Sequence, residues 1–188
     1  MEKIFSRYGA VWPAALIAHV PMLCALGYLT RLAGTTVERV FGLGKVRVGA
    51  VLVSSILLCI LELISAVGSG VTLSWLGFGA GTGEPPEPAR ETSLSFFAFT
   101  DRVVWAPICE ELACRGLLYT SLRTRLGIVT SSVLTAAVFA WLHHPSSLLA
   151  AGCRFFPAVV YSLWYERTRS LWPNVIAHAV HNLVGALK

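Results

Sequence analysis

Charged side chains are scarce in this sequence, since Asp, Glu, Lys and Arg together make up 13% of its 188 residues. An ordinary soluble domain carries about 25% charged residues. Because 55% of the residues are hydrophobic, too few polar side chains remain to cover a protein surface in water. The scarcity of charge argues against a soluble domain and predicts an integral membrane protein.

Three patterns that would indicate other kinds of protein are also missing. The net charge is +5, but Lys and Arg are scattered between apolar stretches without a basic run, so no nucleic-acid partner is expected. The five cysteines form no CxxC pair, and their odd number argues against a disulfide framework or a thiolate zinc site. No HExxH segment is present, which excludes the metalloprotease helix that takes two zinc ligands from one turn.

Long apolar segments occupy most of the chain. A membrane-spanning helix needs about 20 mostly apolar residues, and six segments approach that length. The predicted helices are 11–29, 48–67, 103–123 with an amphipathic lead-in at 94–99, 128–143, 148–165 and 171–187. The sequence therefore predicts an all-α fold, a polytopic transmembrane helical bundle of about six membrane helices within the lipid bilayer.

One polar loop divides the chain into two parts. Residues 79–91 (GAGTGEPPEPARE) combine proline, glycine and three glutamates, a composition that builds neither a helix nor a core. We expect residues 1–92 to form N-terminal membrane anchor helices and this acidic loop, and residues 93–188 to form a helical core that carries the chemistry. The anchor part contains Glu62, a carboxylate that has to face protein, water or a cation rather than lipid.

The first group of ionisable residues lies in the third predicted helix, in the segment EELACR. Burying such groups in a membrane helix costs at least about 2.5–3.5 kcal/mol each, which makes them functional candidates. Glu111 and Arg115 are spaced i,i+4 with the acid first, so they are expected to form an ion pair. Glu110 points about 100° away around the helix and is a candidate general base. A purely structural ion cluster is the alternative.

Two further motifs lie on the following helices. Phe139 precedes His143 by one turn, which predicts that the phenyl ring packs against the imidazole; a helix-capping histidine is the alternative. On the last predicted helix, His178, His181 and Asn182 share one face. An imidazole and an amide there can stabilise a developing oxyanion, whereas a polar clamp between membrane helices is the alternative.

The three motifs, in this order and on three apolar helices, resemble the EExxxR, FxxxH and HxxxN signature of a known family. It is the CAAX prenyl endopeptidase and bacteriocin-processing family, also called Abi, of intramembrane glutamate proteases. The resemblance covers residues 94–187, with further matches at 115–119 (RGLLY) and 165–173 (YERTRSLWP). Residues 155–158 (FFPA) depart from it, since a glycine-richer segment is expected there.

The resemblance implies a role for each motif residue. Glu110 and His143 would activate a water molecule, and His178 and Asn182 would hold the oxyanion. The predicted ion pair of the first motif would fix the site. The neighbouring His144 and the shared-face His181 are not expected to belong to the catalytic set.

The resemblance also implies a substrate, which is a membrane-anchored peptide or protein cleaved near its terminus. A small chain with a short anchor part resembles the prokaryotic members, so a bacterial or archaeal cell membrane is expected. No cofactor is expected. The alternatives are a zinc-dependent version of the same protease, a cysteine nucleophile at Cys109 or Cys114, and a non-enzymatic ion or proton path in which Glu62 would be coupled to the motif residues.

Overall fold

The described part of the chain is built from helices. The structure, a computed structural model, describes residues 47–78 and 96–187 together with a few single positions between residues 24 and 42. Within these ranges every regular element is helical. The predicted span at 11–29 lies almost entirely outside the described residues, as does the predicted loop at 79–91. Helix α1 is Val48–Trp75, so the predicted helix 48–67 continues toward Leu76, the further extent that the apolar sequence allowed.

Residues 96–123 form one continuous helical run, which we call α2, whose hydrogen-bond pattern changes along its length. Its segments are the α-helix Phe96–Thr100, the π-helix Asp101–Trp105, the α-helix Ala106–Glu111, the π-helix Leu112–Tyr119 and the α-helix Thr120–Arg123. Pro107 has no N–H to donate to the preceding turn, and the first π-helix lies directly before it. The second begins immediately after Glu111, and π-helical turns are frequent at functional sites.

Three more helices complete the described bundle. They are α3 (Ile128–Leu142), α4 (Leu148–Thr168) and α5 (Trp172–Ala186). Helix α4 begins where the Ser147 hydroxyl accepts a hydrogen bond from the Ala150 N–H at 3.1 Å, a typical N-cap. Helix α5 has Pro173 in its first turn, where a missing N–H costs nothing. The predicted ends of these three helices agree with the structure to within three residues.

Two of the described helices, α1 and α4, are long and apolar enough to cross a membrane, and α3 is apolar but shorter. In the most apolar window of α1 only 17% of the residues are buried inside the protein. Most of its apolar surface therefore faces away from the protein, unlike a core helix of a soluble domain. The all-helical fold is confirmed for the described residues, whereas the number of about six membrane spans is not confirmed.

The packing of α1 brings it alongside the C-terminal helices. Helix α1 runs antiparallel to α4. Glu62 contacts Tyr161, whereas Gly70, which comes later in α1, lies near Cys153, which comes earlier in α4. A Cβ atom placed on Gly70 would lie 3.7 Å from the Cys153 sulfur. Helix α1 also packs against α5, and α3 packs mainly against α4. Small residues form the buried face of α3, which allows a close helix approach. They are Ser131, Ser132, Thr135, Ala136 and Ala140.

Two apolar clusters hold these helices together. The first joins α2, α4 and the start of α5, and it consists of Leu112, Tyr119, Tyr165 and Leu171. The second joins α1, α4 and α5, and it consists of Leu58, Tyr161 and Ala177. Since Leu112 directly follows Glu111 and Tyr161 contacts Glu62, each cluster borders polar side chains that sequence analysis singled out.

Candidate active site

A cavity of about 240 Å³ lies where the five helices meet. It is lined by residues from all three sequence motifs, namely Glu111, Arg115, Phe139, His143, His178 and Asn182. These residues come from α2, from the end of α3 and from α5. The three motifs, whose lining residues lie as far apart in sequence as Glu111 and Asn182, therefore converge on one polar cavity.

Glu110 is not among the residues that line this cavity, but its carboxylate approaches the imidazole rings of two residues that do. Its Oε2 atom lies 3.7 Å from Nε2 of His143 and 3.6 Å from Nε2 of His178. The side chains of Glu110 and His143 are each 34% exposed, but the Oε2 atom of Glu110 is itself buried, and among the described residues it has no direct hydrogen-bond partner. Polar groups more than 3.5 Å apart can interact through a bridging water molecule.

The end of α3 positions His143. The helix ends at Leu142, and the following residues cannot continue it easily because Pro145 disfavours the helical conformation of His144. Nδ1 of His143 lies 2.7 Å from the carbonyl oxygen of Phe139. Since a carbonyl only accepts, Nδ1 donates this bond and the neutral ring has its lone pair on Nε2, toward Glu110. His143 is therefore both a capping residue and a site residue.

The predicted ion pair of Glu111 and Arg115 is present and fully buried. Nη1 of Arg115 lies 3.0 Å from Oε1 of Glu111, and the two side chains are 1% and 0% exposed. Nη2 of Arg115 donates to the carbonyl oxygen of Ala158 at 3.0 Å. The guanidinium carbon also lies 5.3 Å from the ring centre of Phe139 and 5.2 Å from that of Tyr161, within the range of cation–π attraction. Arg115 thus connects α2 with α3 and α4.

Glu111 also orients His178. Its Oε1 atom lies 3.1 Å from Nδ1 of His178. A carboxylate only accepts, so Nδ1 of His178 carries a proton and its Nε2 atom is directed to Glu110. The other oxygen of Glu111 accepts a bond from Nδ2 of Asn174 at 3.3 Å. The buried Glu111 carboxylate therefore has partners on α2 and at two positions on α5.

Asn174 is not among the site residues predicted from the sequence. This residue is fully buried, and its Nδ2 atom also donates to the backbone carbonyl of Tyr161 at 2.9 Å. Asn174 precedes His178 by four positions and so lies on the same helix face. That spacing is the signal from which it could have been found.

Asn182 lies one turn after His178 and lines the cavity. Its Nδ2 atom donates to the backbone carbonyl of Arg102 at 2.9 Å, which ties α5 to the first π-helix of α2. An amide nitrogen has two N–H groups. The second can donate into the cavity while the first holds the side chain in place.

The remaining candidate residues differ in their surroundings. His144 is exposed and has a positive φ of 44°. His181 lines the cavity, which sequence analysis did not anticipate, and its Nδ1 atom lies 2.7 Å from Oε1 of Glu62. Cys109 and Cys114 are buried free thiols, and neither lines the cavity.

Glu110, His143 and His178 are of the residue types that bind zinc in catalytic sites. Within residues 47–78 and 96–187, however, no set of three or more His, Cys, Asp or Glu side chains has the spacing of a metal site.

Comparison with known proteins places the site in a family. The family model described as type II CAAX prenyl endopeptidase Rce1-like matches residues 92–184, the segment that contains all three motifs. Neither the curated proteins nor the solved structures gave a match. The family resemblance that the motifs predicted is therefore confirmed. Through this Rce1-like domain the chain belongs to the CAAX protease and bacteriocin-processing family, whose members are membrane-embedded proteases.

Proposed function

We propose that this protein is an intramembrane endopeptidase that cleaves a membrane-anchored peptide or protein near its terminus. In this proposal Glu110 and His143 activate the attacking water molecule. The observation that carries it is the convergence of Glu110 Oε2 with Nε2 of His143 at 3.7 Å and Nε2 of His178 at 3.6 Å. A carboxylate and an imidazole within reach of one water are the groups that general-base catalysis requires.

The hydrogen-bond partners in the site support the following first step of peptide hydrolysis. Nδ1 of His143 donates to the Phe139 carbonyl, so its Nε2 atom accepts one proton of the water as a hydrogen bond. Glu110 removes the other proton as the water oxygen attacks the scissile carbonyl carbon. When the C–N bond breaks, the protonated Glu110 returns this proton to the leaving amine. The carboxylate is then regenerated, and no covalent intermediate with the protein forms.

The negative charge that develops on the substrate oxygen needs donors. In this proposal His178 acts as an imidazolium, with Nδ1 bound to Glu111 at 3.1 Å and the Nε2 proton available to the oxyanion. The second N–H of Asn182 supplies another donor. Glu111 and Arg115 do not touch the substrate; they hold His178 and the rings around it in place.

The lipid bilayer is part of the proposal. The two apolar helices α1 and α4 support a membrane-embedded chain. In this proposal the chain crosses the membrane more than once, in the cell membrane of a bacterium or archaeon. The substrate would enter from the bilayer with its anchor in lipid and its scissile bond in the cavity. We propose that the hydrolysis needs no cofactor, with zinc bound by Glu110 and the two motif histidines as the competing mechanism.

The direct test is peptide hydrolysis by the purified protein in lipid vesicles. We expect cleavage of a peptide that carries a lipid group near its C-terminus, and much slower cleavage of the same peptide without the lipid. Mass spectrometry of the products identifies the scissile bond. If no lipidated or membrane-spanning peptide in a varied panel were cleaved by the folded protein, the peptidase proposal would be wrong.

Each proposed catalytic histidine has a second histidine nearby in sequence that serves as a control. His143→Ala and His178→Ala are expected to lower the hydrolysis rate more than His144→Ala and His181→Ala, because only His143 and His178 have Nε2 within 4 Å of Glu110. Rates should be compared per folded molecule, with folding checked by thermal unfolding in detergent. The opposite ranking in either pair would show that the motif has been assigned to the wrong histidine.

A proton or ion path is a second candidate function, and one observation favours it. Glu62 lines the same cavity as the motif residues, which is the coupling that an ion path predicts. A path of this kind would conduct protons or cations across protein-containing vesicles without cleaving any peptide. Flux that is lost in Glu62→Gln, in a protein with no peptidase activity, would favour this second function.

A further inference from the structure

Glu62 brings a carboxylate to the site from outside the segment that matches the family. It is the only charged residue of α1, and the matched segment begins at residue 92. The Glu62 side chain is buried and borders the cavity. A carboxylate on an otherwise apolar helix has to find polar partners in the protein, so the identity of those partners indicates what the residue does.

Both oxygens of Glu62 are engaged, each with a different helix. The Tyr161 hydroxyl, on α4, donates to Oε2 at 2.8 Å in a buried hydrogen bond. Nδ1 of His181, on α5, lies 2.7 Å from Oε1. Tyr161 and His181 also line the cavity, so Glu62 holds two of its wall residues at once.

Tyr161 in turn contacts the groups that orient the site. Its ring meets the His178 ring edge to face, with 6.1 Å between ring centres. The Arg115 guanidinium carbon lies 5.2 Å from the centre of the same ring, and the Tyr161 carbonyl accepts the bond from Asn174. Tyr161 is therefore held at its hydroxyl by Glu62 and at its backbone carbonyl by Asn174. His178 and Arg115 pack against its ring.

We propose that Glu62 is a positioning residue of the peptidase site, which holds the Tyr161 ring in the orientation that places His178. The inference rests on the proposed peptidase function. Without the hydroxyl contact the ring can tilt, and His178 loses one wall of its pocket. A misplacement of about 1 Å at a reacting group can lower a rate by up to about 100-fold. In this view α1 is not only an anchor but completes the active site.

The experiment compares kcat and KM for four variants in vesicles. Glu62→Leu removes the acceptor, Tyr161→Phe removes the donor, and Glu62→Gln keeps an amide oxygen that can accept the same bond. Ser69→Ala is the matched control, because Ser69 is also a buried polar residue of α1 but its hydroxyl bonds to Ala66 of its own helix. We expect Glu62→Leu and Tyr161→Phe to lower kcat by roughly 10- to 100-fold with KM nearly unchanged.

Further readouts separate positioning from folding. Glu62→Gln is expected to recover most of kcat, and Ser69→Ala to match the parent protein. The double variant Glu62→Leu/Tyr161→Phe is expected to be no worse than Glu62→Leu alone, since that change already removes the contact with the Tyr161 hydroxyl. If Glu62→Leu does not fold, Tyr161→Phe and Glu62→Gln still decide the question. Unchanged kcat in Tyr161→Phe, or losses that only follow the folded fraction, would overturn the proposal. Failure of the parent protein to cleave any substrate would instead refute the peptidase function on which it rests.

Discussion

Glu110→Gln is expected to lower the hydrolysis rate by about 10²–10⁴-fold, the contribution typical of general-base catalysis. The amide is nearly the same size as the carboxylate and cannot take a proton from water at neutral pH. It also removes a partly buried charge, so the fold should be kept. The measurements are the single-turnover rate on a lipidated peptide and the thermal unfolding temperature of the same preparation.

A matched control for this variant is Glu166→Gln. Glu110 lies next to His143 and His178, whereas Glu166 contacts Tyr119, Arg123 and Arg169. Its activity per folded molecule is expected to stay close to that of the parent protein. Equal losses in the two variants would mean that the effect of Glu110→Gln is not specific to the site.

The same preparation tests whether a metal ion takes part in the hydrolysis. If Glu110 activates a water directly, EDTA or phenanthroline should leave the rate unchanged. With zinc in the mechanism, chelation would abolish cleavage, added zinc would restore it, and elemental analysis would find about one zinc per chain. Substantial activity in Glu110→Gln would remove this residue from the mechanism.

Arg115→Ala is expected to lower the free energy of unfolding by about 3–5 kcal/mol, because it breaks a buried ion pair by removing one partner. The Glu111 side chain is 0% exposed, so its carboxylate stays buried when the guanidinium is lost. The loss of the bond to the Ala158 carbonyl adds to the effect. Reduced expression and denaturant unfolding in detergent are the measurements, and activity should fall with the folded fraction or further.

Arg123→Ala provides the comparison on the same helix. Arg123 pairs with Glu166 at 3.4 Å, and its side chain is 32% exposed. An ion pair with this much access to water contributes at most about 1 kcal/mol. Equal stability losses at Arg115 and Arg123 would contradict the assignment of the Glu111–Arg115 pair as the buried, structurally essential one.

Local spacing was enough to predict much of this site. The Glu111–Arg115 pair follows from i,i+4 geometry within one helix, and so does the shared face of His178 and Asn182. The approximate ends of α3, α4 and α5 follow from the length of their apolar segments. The chemistry of the motif residues could therefore be proposed without knowledge of how the helices pack.

Contacts between distant residues could not be predicted in the same way. The sequence showed that Glu62 needed a polar partner, but it could not indicate Tyr161 or His181, because these contacts depend on α1 lying between α4 and α5. The π-helical segments of α2 were also not predicted, since apolar periodicity near 3.6 residues does not distinguish a wider turn of a few residues. The number of membrane spans depends on how short helices sit in lipid, which helix length alone does not fix.

The hydrogen bonds of Glu111 have a consequence for how the protein is made. Two of its partners, Asn174 and His178, lie on α5, which the ribosome synthesises after α2, α3 and α4. A chain that still lacks α5 has His143 beside Glu110 but no His178 to complete the set. On the proposed mechanism, such a nascent chain would be unable to cleave peptides around it. Proteolysis would begin only once α5 has been added, so the order of synthesis would restrain the proposed activity.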